Sequence, residues 1–447
     1  MTRSFVALAL ALARVAHADI PAHCLATDVL GTWRFSLTDV VDADDVRELC
    51  PAPATSAYVD ITLSAETTAV DAAGNVGFWT MVYDQGFEVV VGGRKYFHFA
   101  DYAVDPASGN VTSYCGRSRA GYGWAHDAPA APGAAPANWQ CYNATKRDGD
   151  AARREHAPAA HGPHKLLGGV PRARAWLADR PRAVRDARPD ALKYAGLPAA
   201  FDWSDATDAA PDGRVEPMRD QLTCGSCYAF AGTSMLAARA RVRSDRANRA
   251  NLMLSPQSVV SCSAYSQGCG GGFAYLVAKY AEDWGVATDP CFPYEAGIVG
   301  DAQPACAKQC ADASQAWRAT NYRYVGGYFG NCSEVAMMRE LVSSGPLAVG
   351  ITVPASFESY TSGVYVEDAA EGAGAAELAY APFEPTGHAV LVVGYGEEDG
   401  EKYWRVKNSW GRHFGETGYF RVRRGTDEIS IESMAVATDV YVPPEFA

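Results

Sequence analysis

The sequence predicts an α+β protein of two folded parts, a small antiparallel β domain followed by a larger domain whose helices precede its sheet. Three observations lead there. From about Asp19 to Tyr142, β-branched and aromatic residues alternate with period two, as half-buried strands do. The 12 cysteines form two groups, Cys24, Cys50, Cys115 and Cys141 before residue 150 and the remainder from Cys224 onward. Between the groups, residues from about Asn143 to Gly196 are rich in Ala, Arg, Pro and His with little apolar periodicity, which marks a linker or removable segment. At 447 residues, 48% hydrophobic and 20% charged, the chain is long enough to bury two or three cores.

Each element follows in order. The start, MTRSFVALALALARVAHA, has an early arginine, an apolar run and the small-x-small ending Ala16-His17-Ala18, so residues 1–18 read as a cleaved signal segment that leaves Asp19 first. No later segment approaches the ~18 uninterrupted apolar residues of a membrane helix, so no membrane partner is expected. Within TMVYDQGFEVVVGGRKYFHF, Gly92-Gly93 sits like a hairpin turn. A second domain, residues 197–447, opens with PAAFDWSD. It continues through a helical YAFAGTSMLAARARVRS, a cysteine-rich CSAYSQGCGGGFAYL, and the strands LAVGITV, HAVLVVGYG, YWRVKNSW and GYFRVRR. Helices first and a sheet later predict two lobes with a site in the cleft between them.

A formal net charge of −13 and a pI near 5.2 argue against a nucleic-acid partner. They suit an acidic compartment, although surface acidity also serves solubility alone. Sequons at Asn110, Asn143 and Asn331 are consistent with a secretory route. Cysteines in an exported chain imply disulfides, two among the first group and three among the second, with connectivity left open by the sequence. Cys332 is the candidate for the unpaired thiol, a shielded apolar residue rather than a reactive one.

The chemistry lies in QLTCGSCYAF, Gln221 to Phe230. Cys227 opens a helix there, where backbone N–H groups stabilise a thiolate that a nearby histidinium would stabilise further. His388, in TGHAVLVVGYG, stands where a polar loop enters a buried strand, a rigid mount for a base. Asn408, in YWRVKNSWG, can accept from one ring nitrogen and fix the tautomer without adding a charge, with Trp410 available to cover the contact. The Gln221 amide and the Cys227 backbone N–H can hold an oxyanion, typically ~3 kcal/mol per donor. Each residue has a plainer reading. Cys224 and Cys227 as a CxxC pair could be a redox pair or half a zinc site, but no second ligand pair stands at zinc spacing and no metal site is expected. A lone histidine at a strand start, or an asparagine beside a glycine turn, is usually structural. Four matched parts in the required order favour nucleophilic catalysis.

These motifs resemble the papain-like cysteine peptidase family, whose Cys motif is followed by histidine and asparagine. His388 lies farther downstream than that family's ~130–150 residues, which implies an insertion, the stretch Glu367 to Pro385. The resemblance extends to its dipeptidyl-peptidase branch and covers nearly the whole mature chain. It runs through LGTWRF, GFWTMVYDQGFEVVV, VTSYC, GWAHD and NWQCY, then MRDQLTCGSCYAF, LSPQSVVSC, QGCGGGFAYL, CFPY, YRYVGGYFG, GHAVLVVGYG, KNSWG and GYFRVRRGTDE. It implies a papain-like catalytic domain, with a helical lobe and a β-barrel lobe, behind a β-barrel exclusion domain over residues 19–142. That domain would block the cleft beyond the second substrate residue. The implied activity is release of dipeptides from free N-termini of proteins and peptides, with the Asp19 carboxylate receiving the substrate α-ammonium group, whose ordinary pKa is ~8. Asp19 also reads simply as an exposed acidic terminus.

The same resemblance implies the pairs Cys24–Cys115, Cys50–Cys141, Cys224–Cys269, Cys262–Cys306 and Cys291–Cys310. It implies substrate contacts at Gly271, Gly272, Phe273 and Tyr275, and a chloride ion held by Phe273, Tyr275 and Tyr324, which also read as ordinary aromatic core. A homo-tetramer, an activating protease that removes the 143–196 segment, and a lysosome- or vacuole-like compartment or secretion are implied likewise. The 143–196 segment is shorter than the branch's activation peptide, and the insert differs in sequence from the branch's chain-cleavage region. Rival readings are an endopeptidase with an accessory β domain, a dipeptidyl transferase, and a binding homologue without turnover.

Overall fold

The structure, a computed structural model, describes residues 20–46, 50, 57–147, 153–156, 190–205, 213–243, 252–299, 305–306, 316–367 and 387–442. The signal segment, Asp19, Cys310, most of the 143–196 segment and the insert after Glu367 lie outside the described residues.

The N-terminal domain is an antiparallel barrel. Its strands are β1 (Gly31–Leu37), β2 (Ala57–Leu63), β3 (Thr68–Asp71), β4 (Val76–Val82), β5 (Gly86–Val91), β6 (Arg94–Val104), β7 (Val111–Asp127) and β8 (Ala137–Lys146). They pair in the order β6-β5-β4-β3-β2-β1-β8-β7, and pairing of β6 with β7 closes the ring. Closure removes the free edges that would invite association. Period two decides the faces: Trp33, Phe35 and Leu37 of β1 point inward, and Trp33 meets Phe87 edge-on at 4.8 Å. Gly92 and Gly93 form the two-residue hairpin with φ of 59° and 77°, the left-handed pair that suits this turn. Disulfides Cys24–Cys115 and Cys50–Cys141 close the domain.

The domain runs past residue 142. Residues up to Lys146 still pair with β1, and a short strand β9 (Arg153–His156) adds to β7. The polar composition that reads as linker in the sequence conceals strand edges held by backbone hydrogen bonds.

The second domain is built around the helix α1 (Cys227–Val242). Its small residues let it be buried on every side, with Gly232 facing Val277 where a Cβ would approach to 2.6 Å. Around it lie α2 (Pro256–Cys262), capped by Ser255 with proline at its start, α3 (Ala274–Asp283) and α4 (Glu334–Ser344), capped by Ser333. The facing sheet has strands β10 (Phe201–Asp202), β11 (Ala319–Tyr324), β12 (Leu347–Ile351), β13 (Val364–Tyr365), β14 (His388–Glu398), β15 (Glu401–Lys407), β16 (Tyr419–Arg423) and β17 (Ala435–Val440). Their order is β11-β17-β12-β14-β15-β16-β13, with β10 on β14. Strand β14 is central and buried from His388 to Gly396, which accounts for its unbroken apolar run.

One hydrophobic core runs continuously from the barrel into α1 and α3, and a second fills the sheet lobe. The barrel is therefore packed on the helical lobe rather than tethered to it. Cys224 is bonded to Cys269 and Cys262 to Cys306; Cys291 is disulfide-bonded, with its expected partner outside the described residues. Cys227 and Cys332 are buried thiols outside the disulfides.

Candidate active site

Cys227 is the first residue of α1, so unsatisfied amides of the helix start surround its sulfur. The backbone N–H groups of Ala389, Tyr228 and Cys227 itself favour its thiolate, yet full burial dominates and pushes the thiol up to about 12. The Ala389 amide belongs to the residue after His388, so the sulfur sits at the start of β14.

His388 Nε2 lies 2.7 Å from Asn408 Oδ1. The backbone N–H of Ser409 donates to that same oxygen at 2.8 Å, which identifies it as the acceptor and Nε2 as the protonated ring nitrogen. Nδ1 is then the basic nitrogen; it is buried with no hydrogen-bond partner among the described residues. Trp410 stacks on the ring at 4.6 Å and excludes water from the His388–Asn408 contact. Burial lowers the imidazole to about 4, with the Asn408 bond opposing the shift. The two effects act together: enclosure favours a neutral thiol beside a neutral imidazole, and Cys227, His388 and Gln221 are all 0% exposed.

Gln221 is fixed on three sides. Its Oε1 accepts from Ser409 Oγ at 2.6 Å, its Nε2 donates to the Cys224 carbonyl at 3.0 Å, and its backbone N–H donates to the Ser409 carbonyl at 2.8 Å. These contacts hold the amide at the N-terminal approach to Cys227, where an Nε2–H can serve an oxyanion. The Cys224–Cys269 disulfide, with Gly225 N–H donating to the Cys269 carbonyl, brings the Gly268–Phe273 turn beside the nucleophile. Gly271 adopts φ 123°, and a Cβ on Gly272 would come within 2.8 Å of the Tyr228 ring, so both positions require glycine.

Phe273 and Tyr275 meet the barrel. Tyr83 stacks on Phe273 with centroids 3.5 Å apart, and Tyr275 Oη donates to Glu88 at 2.7 Å. Tyr322 also donates to Glu88, and Lys279 lies 3.5 Å from it. Tyr324 stacks on Tyr275 at 4.4 Å, and its buried hydroxyl faces the Tyr83 backbone N–H. Gln221, His388 and Asn408 are thus joined through Ser409 at the Cys227 helix start, and Phe273, Tyr275 and Tyr324 cluster at the barrel contact, while Asp19 and Cys310 lie outside the described residues. Tyr83, Glu88, Tyr322 and Lys279 escape sequence reasoning because their contacts join residues up to 234 positions apart; a glutamate in an otherwise apolar strand, GFEVVV, was the available signal.

Comparison with known proteins gives the family. The family profile described as papain family cysteine protease matches residues 197–439, and that of the cathepsin C exclusion domain matches residues 19–146. Cathepsin C of Schistosoma mansoni is 34% identical over 97% of this chain and 98% of its own length. The cathepsin B-like CP2 of Giardia intestinalis is 34% identical over 59% of this chain and 88% of its own. Among solved structures, procathepsin B S9 from Trypanosoma congolense aligns with a TM-score of 0.48 and 25% identity, covering 62% of this chain and 88% of that one.

Proposed function

The chain belongs to the papain family of cysteine peptidases and is a cathepsin C-like dipeptidyl aminopeptidase with an exclusion domain, and from that premise we propose which residues carry the reaction. Cys227 is the nucleophile. Its proton passes to His388 Nδ1, the thiolate attacks the carbonyl after the second substrate residue, and the oxyanion is held by Gln221 Nε2 and the Cys227 backbone N–H. His388 then gives its proton to the departing amine, leaving a thioester. Water, deprotonated by His388, attacks the thioester and releases the dipeptide with the thiol restored. Asn408 keeps the ring in the one tautomer that can do this.

The observation that carries the dipeptide register is the docking of Tyr83 and Glu88 onto Phe273 and Tyr275. Ile20 is anchored beside this contact: its carbonyl accepts from Gln85 Nε2 at 2.9 Å, and Cys24 N–H donates to the Asp84 carbonyl at 2.7 Å. Asp19, one residue upstream, is the proposed carboxylate for the substrate ammonium. A chloride ion fits in part. Tyr324 offers a buried hydroxyl without an acceptor, whereas the Tyr275 hydroxyl is already given to Glu88. Tyr324 and the Phe273 backbone would hold the ion, which would brace the wall of the second subsite.

The disulfides and the family place the protein in the secretory pathway. A lysosome-like destination, a tetramer, and activation by a second protease within residues 143–196 complete the proposal. The enclosure of Cys227 supports a latent full-length form.

The test is hydrolysis of a fluorogenic dipeptide with a free amino terminus beside its N-acylated twin, at mildly acidic pH with reductant. Cleavage of the free form alone, abolished by Cys227→Ala and reduced by Asp19→Asn, is expected. Equal cleavage of both by processed enzyme would make it an endopeptidase.

A further inference from the structure

A buried charged pair outside the residues assigned above touches all three elements that carry the hydrolytic site. Glu216 lies in the extended segment that leads into Gln221. Its Oε1 accepts from Ser234 Oγ at 2.5 Å and lies 3.4 Å from Lys407 Nζ. Ser234 is on α1, the helix that Cys227 opens, and Lys407 ends β15, joined directly to Asn408. The two charged side chains are 0% and 4% exposed.

A cavity of about 10 Å³, near the size that admits a single water, has Ser234, Ala389, Lys407, Asn408 and Ser409 on its wall. Asn408 Nδ2, on that wall, has no hydrogen-bond partner among the described residues. Neither does Glu216 Oε2, on the carboxylate that Ser234 and Lys407 share. Burying an ion pair is costly, and a well-packed apolar pair serves stability as well or better. Its presence against the residue that orients the base therefore calls for a role other than stability.

We propose that Glu216 is a positioning residue for the peptidase reaction: it ties Asn408, through Lys407, to the Cys227 helix, through Ser234, and cancels the Lys407 charge next to Asn408. The inference rests on the assignment of Cys227, His388 and Asn408 made above. Burial pulls Lys407 toward its neutral form and Glu216 opposes that; Arg219 and Arg241 add repulsion, and Tyr419 faces Glu216 from β16. Losing Glu216 therefore leaves uncompensated positive charge. Such charge favours the Cys227 thiolate and disfavours the His388 imidazolium, so both limbs of a pH profile move to lower pH.

The experiment compares the purified enzyme with Glu216→Gln and with the double variant Glu216→Leu/Lys407→Met. Dipeptide hydrolysis and the rate of Cys227 alkylation by iodoacetamide are each measured across pH. For Glu216→Gln, kcat should fall about tenfold with KM within about twofold, and both limbs should shift down by about half a pH unit. In the double variant the limbs should return to their parental positions while kcat stays low. Parental kcat in either variant, or a fall in kcat for Glu216→Gln without movement of the limbs, would overturn the proposal. If the single variant fails to fold, the double decides by its kcat. In the processed parental enzyme, a Cys227 alkylated no faster than a free thiol would refute the catalytic assignment itself, a result independent of both variants.

Discussion

Asn408 Oδ1 accepts from His388 Nε2 at 2.7 Å and from the Ser409 backbone N–H at 2.8 Å, so one amide oxygen sets both its own orientation and the histidine tautomer. The site's catalytic sense follows from that pair: Nδ1 is free to act only because Nε2 keeps its proton. Asn408→Ala should lower kcat by about 10²-fold with little change in KM, since the ring would turn and exchange tautomers while substrate contacts remain. Steady-state kinetics on a free-amine dipeptide substrate checks this. An unchanged kcat would mean that Trp410 packing alone holds the ring.

Gln221 should act on the transition state and not on substrate binding. Gln221→Ala is expected to reduce kcat by about 10²–10³-fold, the usual cost of one oxyanion donor. Thermal melting should accompany the kinetics, because Ser409 Oγ loses its 2.6 Å acceptor in the same variant. A large loss of stability with a small kinetic effect would reassign Gln221 to structure.

Acid should weaken the enclosed form. Burial holds His388 at about 4 against an ordinary 6.5, so between those values the unfolded chain binds the proton that the folded chain refuses. The stabilisation is complete above pH 6.5 and is lost as pH falls toward 4, amounting to roughly 2–3 kcal/mol by pH 4.5. His98, buried in the barrel and lowered to about 3, acts in the same direction. Glu432, raised to about 7 by burial, acts oppositely, contributing stability at low pH that is lost as pH rises through 7. Comparing Cys227→Ala with Cys227→Ala/His388→Gln isolates the histidine. The second should lose several degrees less in Tm between pH 6.5 and 4.5, and parallel curves would refute the buried neutral imidazole.

Glu88 should govern how firmly the barrel closes the cleft. Glu88→Ala strands Lys279, 1% exposed, without the 3.5 Å carboxylate and frees the Tyr275 and Tyr322 hydroxyls. A loss of about 3 kcal/mol in stability is expected, partly relieved because Asp283 still pairs with Lys279 at 3.0 Å. Cleavage of the N-acylated substrate should rise relative to the free-amine one. A constant ratio would show that the aromatic contact of Tyr83 with Phe273 suffices.

Much of the chemistry was legible in the chain because it depends on local geometry. Cys227 at a helix start, His388 at the head of an unbroken apolar run and Asn408 after an alternating strand are each specified by neighbours in sequence. The Gly92-Gly93 hairpin and the inward Trp33-Phe35-Leu37 row were equally readable, since turn type and pleat leave signatures within a few residues. The domain end was not: residues 143–146 lack apolar alternation but keep their place through backbone pairing with β1. Nor does the seemingly mixed composition of the Cys227 helix show that it is buried on every side.

By itself, then, the sequence determined the type of nucleophile, base and orienting group, and the two-part α+β organisation. Only the tertiary structure decided which nitrogen of His388 is basic, that the thiol and imidazole are both held neutral by enclosure, and that Glu88 and Tyr83 of the barrel lock onto Tyr275 and Phe273. The reason is physical. Residue type and local spacing fix what a side chain can do, whereas proton position, desolvation and interdomain pairing depend on groups far away in the chain, and only folding brings those within 3 Å.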